Sequence, residues 1–186
     1  MKYDNVFVLS PGRSGSKSFV EACKHLSNYS ALHESRGGKL GEERFAYSQF
    51  HIEADNRLCW FLGPLSERFN EKEVLYVHLK RDYEATVDSF LHRLQNSTYR
   101  SSIINAFAHG VLMKPGDWTP EEEIEVVRLY VSTIHSNIEL FLAARNSITV
   151  ELDDGGSSFD LFLDEISAEG DLTMTRNTWQ KIHNAR

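Results

Sequence analysis

Residues 6–27 read VFVLSPGRSGSKSFVEACKHLS. The apolar run Val6-Phe7-Val8-Leu9 has the length of a buried strand. Ser10-Pro11-Gly12 stops it with a turn signal. Phe19, Val20, Cys23 and Leu26 then recur at helical spacing. The stretch therefore reads as strand, tight glycine-containing loop, helix.

The same alternation continues outward. Ala31-Leu32-His33 reads as a second short strand, and residues 35–48, polar with three glycines, as a surface loop. Residues 52–69 read as helical, interrupted near Gly63-Pro64. VLYVHL (74–79) is the next strand, and Tyr83, Val87, Phe90, Leu91 and Leu94 mark one face of the helix behind it. Thr119-Pro120-Glu121-Glu122 is a capping box with proline in the first turn. It opens a long amphipathic helix through Ile124, Val127, Val131, Ile134, Ile138 and Phe141, ending near Asn146. SITVEL (147–152) is a final strand and 158–166 a short helix. Strands alternating with helices predict an α/β three-layer sandwich around a mostly parallel central sheet. Ligands of such sheets sit beyond the carboxyl ends of the strands, so the loops after strands are where chemistry is sought.

The chain of 186 residues has 41% apolar and 25% charged residues, the mix of one globular domain spanning 1–186. Twenty basic against 27 acidic residues give a net charge of −7, which argues against a nucleic-acid partner. Residues 151–171 hold eight acids and no base, the pattern of a solvated acidic face. The rest of the chain is free to build a local cationic site. Cys23 and Cys59 form no CxxC pair, and the eight histidines show no HExxH spacing, so no metal site is expected. There is no 18-residue apolar run and no signal-peptide pattern, so the expectation is a soluble cytoplasmic protein without a membrane partner.

Gly12-Arg13-Ser14-Gly15-Ser16-Lys17-Ser18 joins the first strand to its helix. Glycines let such a loop approach an anion closely, its backbone N–H groups point inward, and the helix start adds partial positive charge. Arg13 and Lys17 add full charges; Ser14, Ser16 and Ser18 add hydroxyls. With Lys17 aligned, a Walker A loop needs glycine at 11 and 16, where Pro11 and Ser16 stand. The strand 74–79 leads to Lys80-Arg81 rather than to an acid that could help place Mg²⁺. A phosphate-type anion fits better than metal-dependent phosphoryl transfer. Arg81 follows that strand, Ser89 lies two helical turns on, and Arg93 is at i+4 from Ser89.

On these residues the chain resembles the sulfotransferases that use 3′-phosphoadenosine 5′-phosphosulfate (PAPS). Pro11-Gly12-Arg13-Ser14-Gly15-Ser16 is similar to their phosphosulfate loop. HLKRDYEATVDSFLHR, with Arg81 and Ser89 eight residues apart, is similar to their second motif, a strand-end arginine and a serine that hold the 3′-phosphate. ITVELDD is similar to their later strand with an acidic end. The resemblance covers residues 6 to about 166 and implies a P-loop-like fold. It also implies PAPS as donor, a small-molecule or carbohydrate hydroxyl (or amine) as acceptor, and a general base. Lys17 departs from the family's usual small hydroxyl residue, and the family's C-terminal glycine-rich phosphate-contacting segment is absent. The implied roles are cofactor binding by Gly12 to Ser18, Arg81 and Ser89, and leaving-group stabilisation by Arg13. The base falls to Glu34, favoured by the resemblance, or to His33, favoured by its near-neutral pKa. Adjacent residues on an extended chain point opposite ways, so one of the two faces the site. Two rivals remain: a P-loop kinase or nucleotide hydrolase built on Lys17 and Ser18, and a degenerate nucleotide-binding module without catalysis.

Overall fold

The computed structural model describes residues 2–69, 73–96 and 102–183. Strand β1 (Asn5–Leu9) leads through α1 (Ser16–Cys23) to β2 (Ser30–His33). Next come β3 (His51–Ala54), α2 (Leu62–Arg68), β4 (Val74–Lys80), α3 (Tyr83–Asn96) and α4 (Ile103–Ala106). The long α5 (Pro120–Leu142), β5 (Ser147–Glu151), α6 (Ser157–Glu165) and α7 (Leu172–His183) complete the order. All neighbouring strands pair in parallel, in the order β2-β3-β1-β4-β5.

The period-2 alternation of β1 divides the core. Val6 and Val8 pack with Phe19 of α1, Phe159 and Phe162 of α6 and Trp179 of α7. Phe7 and Leu9 pack on the other face with Val87 and Phe90 of α3 and Tyr130 and Ile134 of α5. The sheet is thus the middle of three layers, as expected from the alternating pattern. The capping box at Thr119 is formed, with both reciprocal hydrogen bonds.

The strand order fixes where a ligand can sit. From β1 the chain moves to β2 and returns to β3 beside β1; it then crosses to β4 on the opposite side of β1. The helices that follow β1 and β4 lie on opposite faces of the sheet. A crevice opens at the carboxyl ends of two such neighbours, and it is flanked by residues 10–15 and by Arg81.

Residues 52–69 are not one helical stretch. His51–Ala54 is a strand with all four residues buried, inserted between β2 and β1. Only after it come a 3-10 turn (Asn56–Trp60) and α2. The polar residues hid this strand, because His51 and Glu53 break the apolar run of a buried parallel strand. They are tolerated because they satisfy each other: His51 Nε2 lies 2.9 Å from Glu53 Oε2, and Nδ1 lies 2.9 Å from the Ser30 hydroxyl. The 35–48 segment is also more anchored than a solvated loop. It contains a 3-10 turn (Gly41–Phe45) whose Arg44 is buried against Asp55 at 2.6 Å.

Candidate functional site

The loop after β1 is held by its carbonyls. The Cys59 thiol donates to Ser10 O at 3.3 Å, the Tyr130 hydroxyl to Pro11 O at 2.7 Å, and the Ser14 hydroxyl to Gly12 O at 3.2 Å. Arg81 Nη1 donates to Arg13 O at 3.3 Å. The amides of Arg13, Ser14 and Gly15 meet no acceptor among the described residues. Gly12 (φ 94°), Arg13 (φ 61°) and Gly15 (φ 90°) all take left-handed backbone, the geometry that turns successive N–H groups toward one concavity. Gly15 is required twice over, since a Cβ there would stand 2.5 Å from Leu152 Cδ1. Arg13 has a side chain and pays about 1–2 kcal/mol for the same conformation, a strain of the kind concentrated at functional sites.

Three guanidinium groups converge beside this loop. Arg13 Nε donates to the Ser89 hydroxyl at 2.9 Å, which ties the β1 loop to α3. Arg81 reaches the same loop, and its buried Nε has no hydrogen-bond partner among the described residues. Burial pushes the Arg13 guanidinium below its ordinary value, and Arg93 and then Arg81 add to the push. None of the three pairs with a carboxylate among the described residues; Arg44, Arg57, Arg68, Arg128 and Arg176 all do. Like charges brought together around free amides are an arrangement that suits an anion with more than one negative charge. Lys17 stands exposed on the first turn of α1 without an ion pair among the described residues.

The serines divide. Ser16 sits at the loop's end with its hydroxyl 3.0 Å from His33 Nε2. Ser14 spends its hydroxyl within the loop, and Ser18 is buried in the first turn of α1. Both therefore shape the loop more than they line it.

His33 and Glu34 end up in different company. His33 is half-buried against Ser16, and burial, with help from Lys17, lowers its pKa against the opposing pull of Glu34. Burial thus favours the neutral imidazole. Glu34 takes left-handed backbone (φ 50°) and pairs with Arg57 at 3.0 Å. That turn is clamped by buried Glu53, which accepts from the Ser35 amide and hydroxyl, both at 2.7 Å. His51 belongs to the Glu53 network, and His78 packs 2.9 Å from His135 with its pKa driven by burial to about 3.

Sequence reasoning passed over the residues that brace the site. Asn56, Cys59 and Tyr130 hold the loop's carbonyls, and Arg57 bridges to Glu34. Three of these four follow β3, so recognising that strand was the missing step. Two clefts meet at Arg57. One, of about 610 Å³, is lined by Ser102, Asn105 and His109; the other, of about 410 Å³, lies between the 37–45 segment and α2.

No family model and no curated protein matches this chain. Among the described residues no helix is long and apolar enough to cross a membrane.

Proposed function

We propose that the protein is a sulfotransferase of P-loop-like fold that moves a sulfuryl group from PAPS to a hydroxyl acceptor. The observation that carries the reading is the joining of two strand-end loops by the Arg13–Ser89 hydrogen bond, beside Arg81 and Arg93, with no carboxylate among the described residues to neutralise them. A ligand with two separated phosphate-type ends matches that arrangement, and the unpartnered Arg81 Nε supplies a buried donor for one of them. The kinase alternative is weakened by Asp55. It ends the strand beside β1, where a metal-placing acid would be useful, but its carboxylate is occupied by Arg44 and by the Arg57 amide at 2.8 Å.

When bound, PAPS supplies the sulfuryl group and departs as the bisphosphate. The loop amides with Ser16, Arg13 and Lys17 hold its 5′ end, and Arg13 steadies charge developing toward the leaving phosphate. Arg81 and Ser89 hold the 3′-phosphate. His33 takes the acceptor's proton at Nε2, the nitrogen that lies 3.0 Å from the Ser16 hydroxyl. Glu34, committed to Arg57, orients the acceptor rather than deprotonating it. This reverses the preference for Glu34 that the family resemblance implies.

Titration calorimetry tests the donor site. Binding of 3′-phosphoadenosine 5′-phosphate without metal, well ahead of ATP with Mg²⁺, is expected; the reverse order would overturn the reading in favour of the kinase. For the base, His33→Asn is expected to lower turnover by about 10²–10⁴-fold while bisphosphate affinity holds. In the wild type the acid limb of kcat/KM lies below the ordinary histidine value of 6.5, because the shift of His33 is downward. If Glu34→Gln abolishes that limb and His33→Asn does not, the base is Glu34.

A further inference from the structure

The smaller cleft is lined by Lys39, Arg44, Arg57 and Arg68, together with Phe45 and Phe61, and no carboxylate lines it. The acids that pair with these cations lie outside the lining. Glu42 reaches Arg68 at 2.6 Å and Glu43 reaches Lys39 at 3.4 Å, from side chains 87% and 71% exposed. Such exposed pairs are worth little and exchange readily. Asp55 stands behind Arg44, and Glu34 meets Arg57 at the inner end. The rings back the cations: the Arg68 guanidinium lies 4.8 Å from the Phe45 ring centre, the Arg44 guanidinium 5.5 Å from that of Phe61. Phe45 and Phe61 meet edge to face at 5.8 Å. The cleft therefore offers two cations held only by exposed acids, Lys39 and Arg68, beside aromatic surface, and Arg57 connects it to Glu34, the neighbour of His33.

We propose that this cleft receives an acceptor bearing a carboxylate beside an aromatic or apolar ring. Guanidinium groups held beside aromatic rings suit a planar carboxylate, which they engage through paired N–H donors. The binding statement stands on the cleft alone; calling the ligand an acceptor rests on the sulfuryl-transfer reading. The acidic balance of the whole chain runs against an anionic ligand, but the local lining decides, because charges beyond a Debye length of about 8 Å are screened.

The test uses two matched probes, p-nitrophenyl β-D-glucuronide and p-nitrophenyl β-D-glucoside, which share the aromatic group and sugar ring and differ in the carboxylate. Calorimetric titration of the full chain is expected to show the glucuronide binding about tenfold tighter, the scale of one charge-assisted hydrogen bond. Arg68→Gln and Lys39→Gln should each reduce that preference, and Glu42→Gln, which removes a competing acid, should increase it. Equal affinity for the two probes, or a preference that none of the three substitutions moves, overturns the proposal. 3′-Phosphoadenosine 5′-phosphate is titrated in parallel. If it binds while the glucuronide preference is absent, this inference fails and the sulfuryl-transfer reading stands. If the preference is present and the bisphosphate does not bind, the reverse holds.

Discussion

At the β1–β4 edge, Arg13, Arg81 and Arg93 crowd together with no carboxylate among the described residues, whereas at the β2–β3 edge Arg44, Arg57 and Arg68 each hold one. The residue type is the same and the sheet edge is shared. What differs is whether the protein neutralises its own charge. Around β3 it does so to a graded extent: Arg44–Asp55 is fully enclosed, Arg57–Glu34 is partly open, and Arg68–Glu42 has its acid in solvent. The enclosed Arg44 builds a wall, Arg68 is held only by an exposed acid that a ligand can displace, and the unpaired arginines stand open to an anion.

That contrast can be broken by mutation. The largest effect is expected at the enclosed pair. Asp55→Ala strands the Arg44 charge and should lower stability by about 3–5 kcal/mol, read by denaturant unfolding; a loss below 1 kcal/mol would place that pair among the exchangeable ones. At the open edge the pattern inverts. Arg81→Ala should weaken 3′-phosphoadenosine 5′-phosphate binding by about 30- to 100-fold, the scale of a charge-assisted contact to phosphate, with unfolding stability unchanged or raised. A stability loss there comparable to that of Asp55→Ala would mean that Arg81 is a wall like Arg44. Salt sharpens the same distinction. Bisphosphate affinity should fall between 50 mM and 500 mM NaCl, as screening lengths shrink below about 10 Å, and the destabilisation caused by Asp55→Ala should hold nearly constant. The smallest effect belongs to Arg128, which meets Glu84 at 2.8 Å with both side chains more than half exposed. Arg128→Ala should cost under about 1 kcal/mol and leave nucleotide affinity untouched.

The apolar pattern made most of the architecture legible. Val6–Leu9, Val74–Leu79 and the capped helix from Thr119 carry signals that the fold uses as written, and the loop 12–18 stands where a strand–helix junction puts it. The strand at 51–54 escaped because two of its four residues are ionisable and are satisfied by each other and by partners remote in sequence, Ser30 and Ser35. With it went the residues that brace the loop, since Asn56, Arg57 and Cys59 gain meaning only once a strand end is seen to precede them. The contacts of His33 and Glu34 were equally hidden. Their alternation was readable, but Ser16 as the partner of one and Arg57 as the partner of the other depend on how β2, β3 and β1 lie side by side.

The packing of α1 against α7 bears on the order in which the molecule is finished. Every residue of the proposed anion site, from Gly12 to Arg93, lies in the first half of the chain. Yet Phe19, on the helix that follows the loop, is covered by Trp179, 5.9 Å away with the rings at 85°. On a ribosome adding about 5–20 residues per second, on the order of ten seconds pass between the emergence of Ser89 and that of Trp179. The strands that seat the loop are therefore made before α6 and α7, and the apolar side of its helix gains its cover only as Phe159 and Phe162, and then Trp179, close over Phe19.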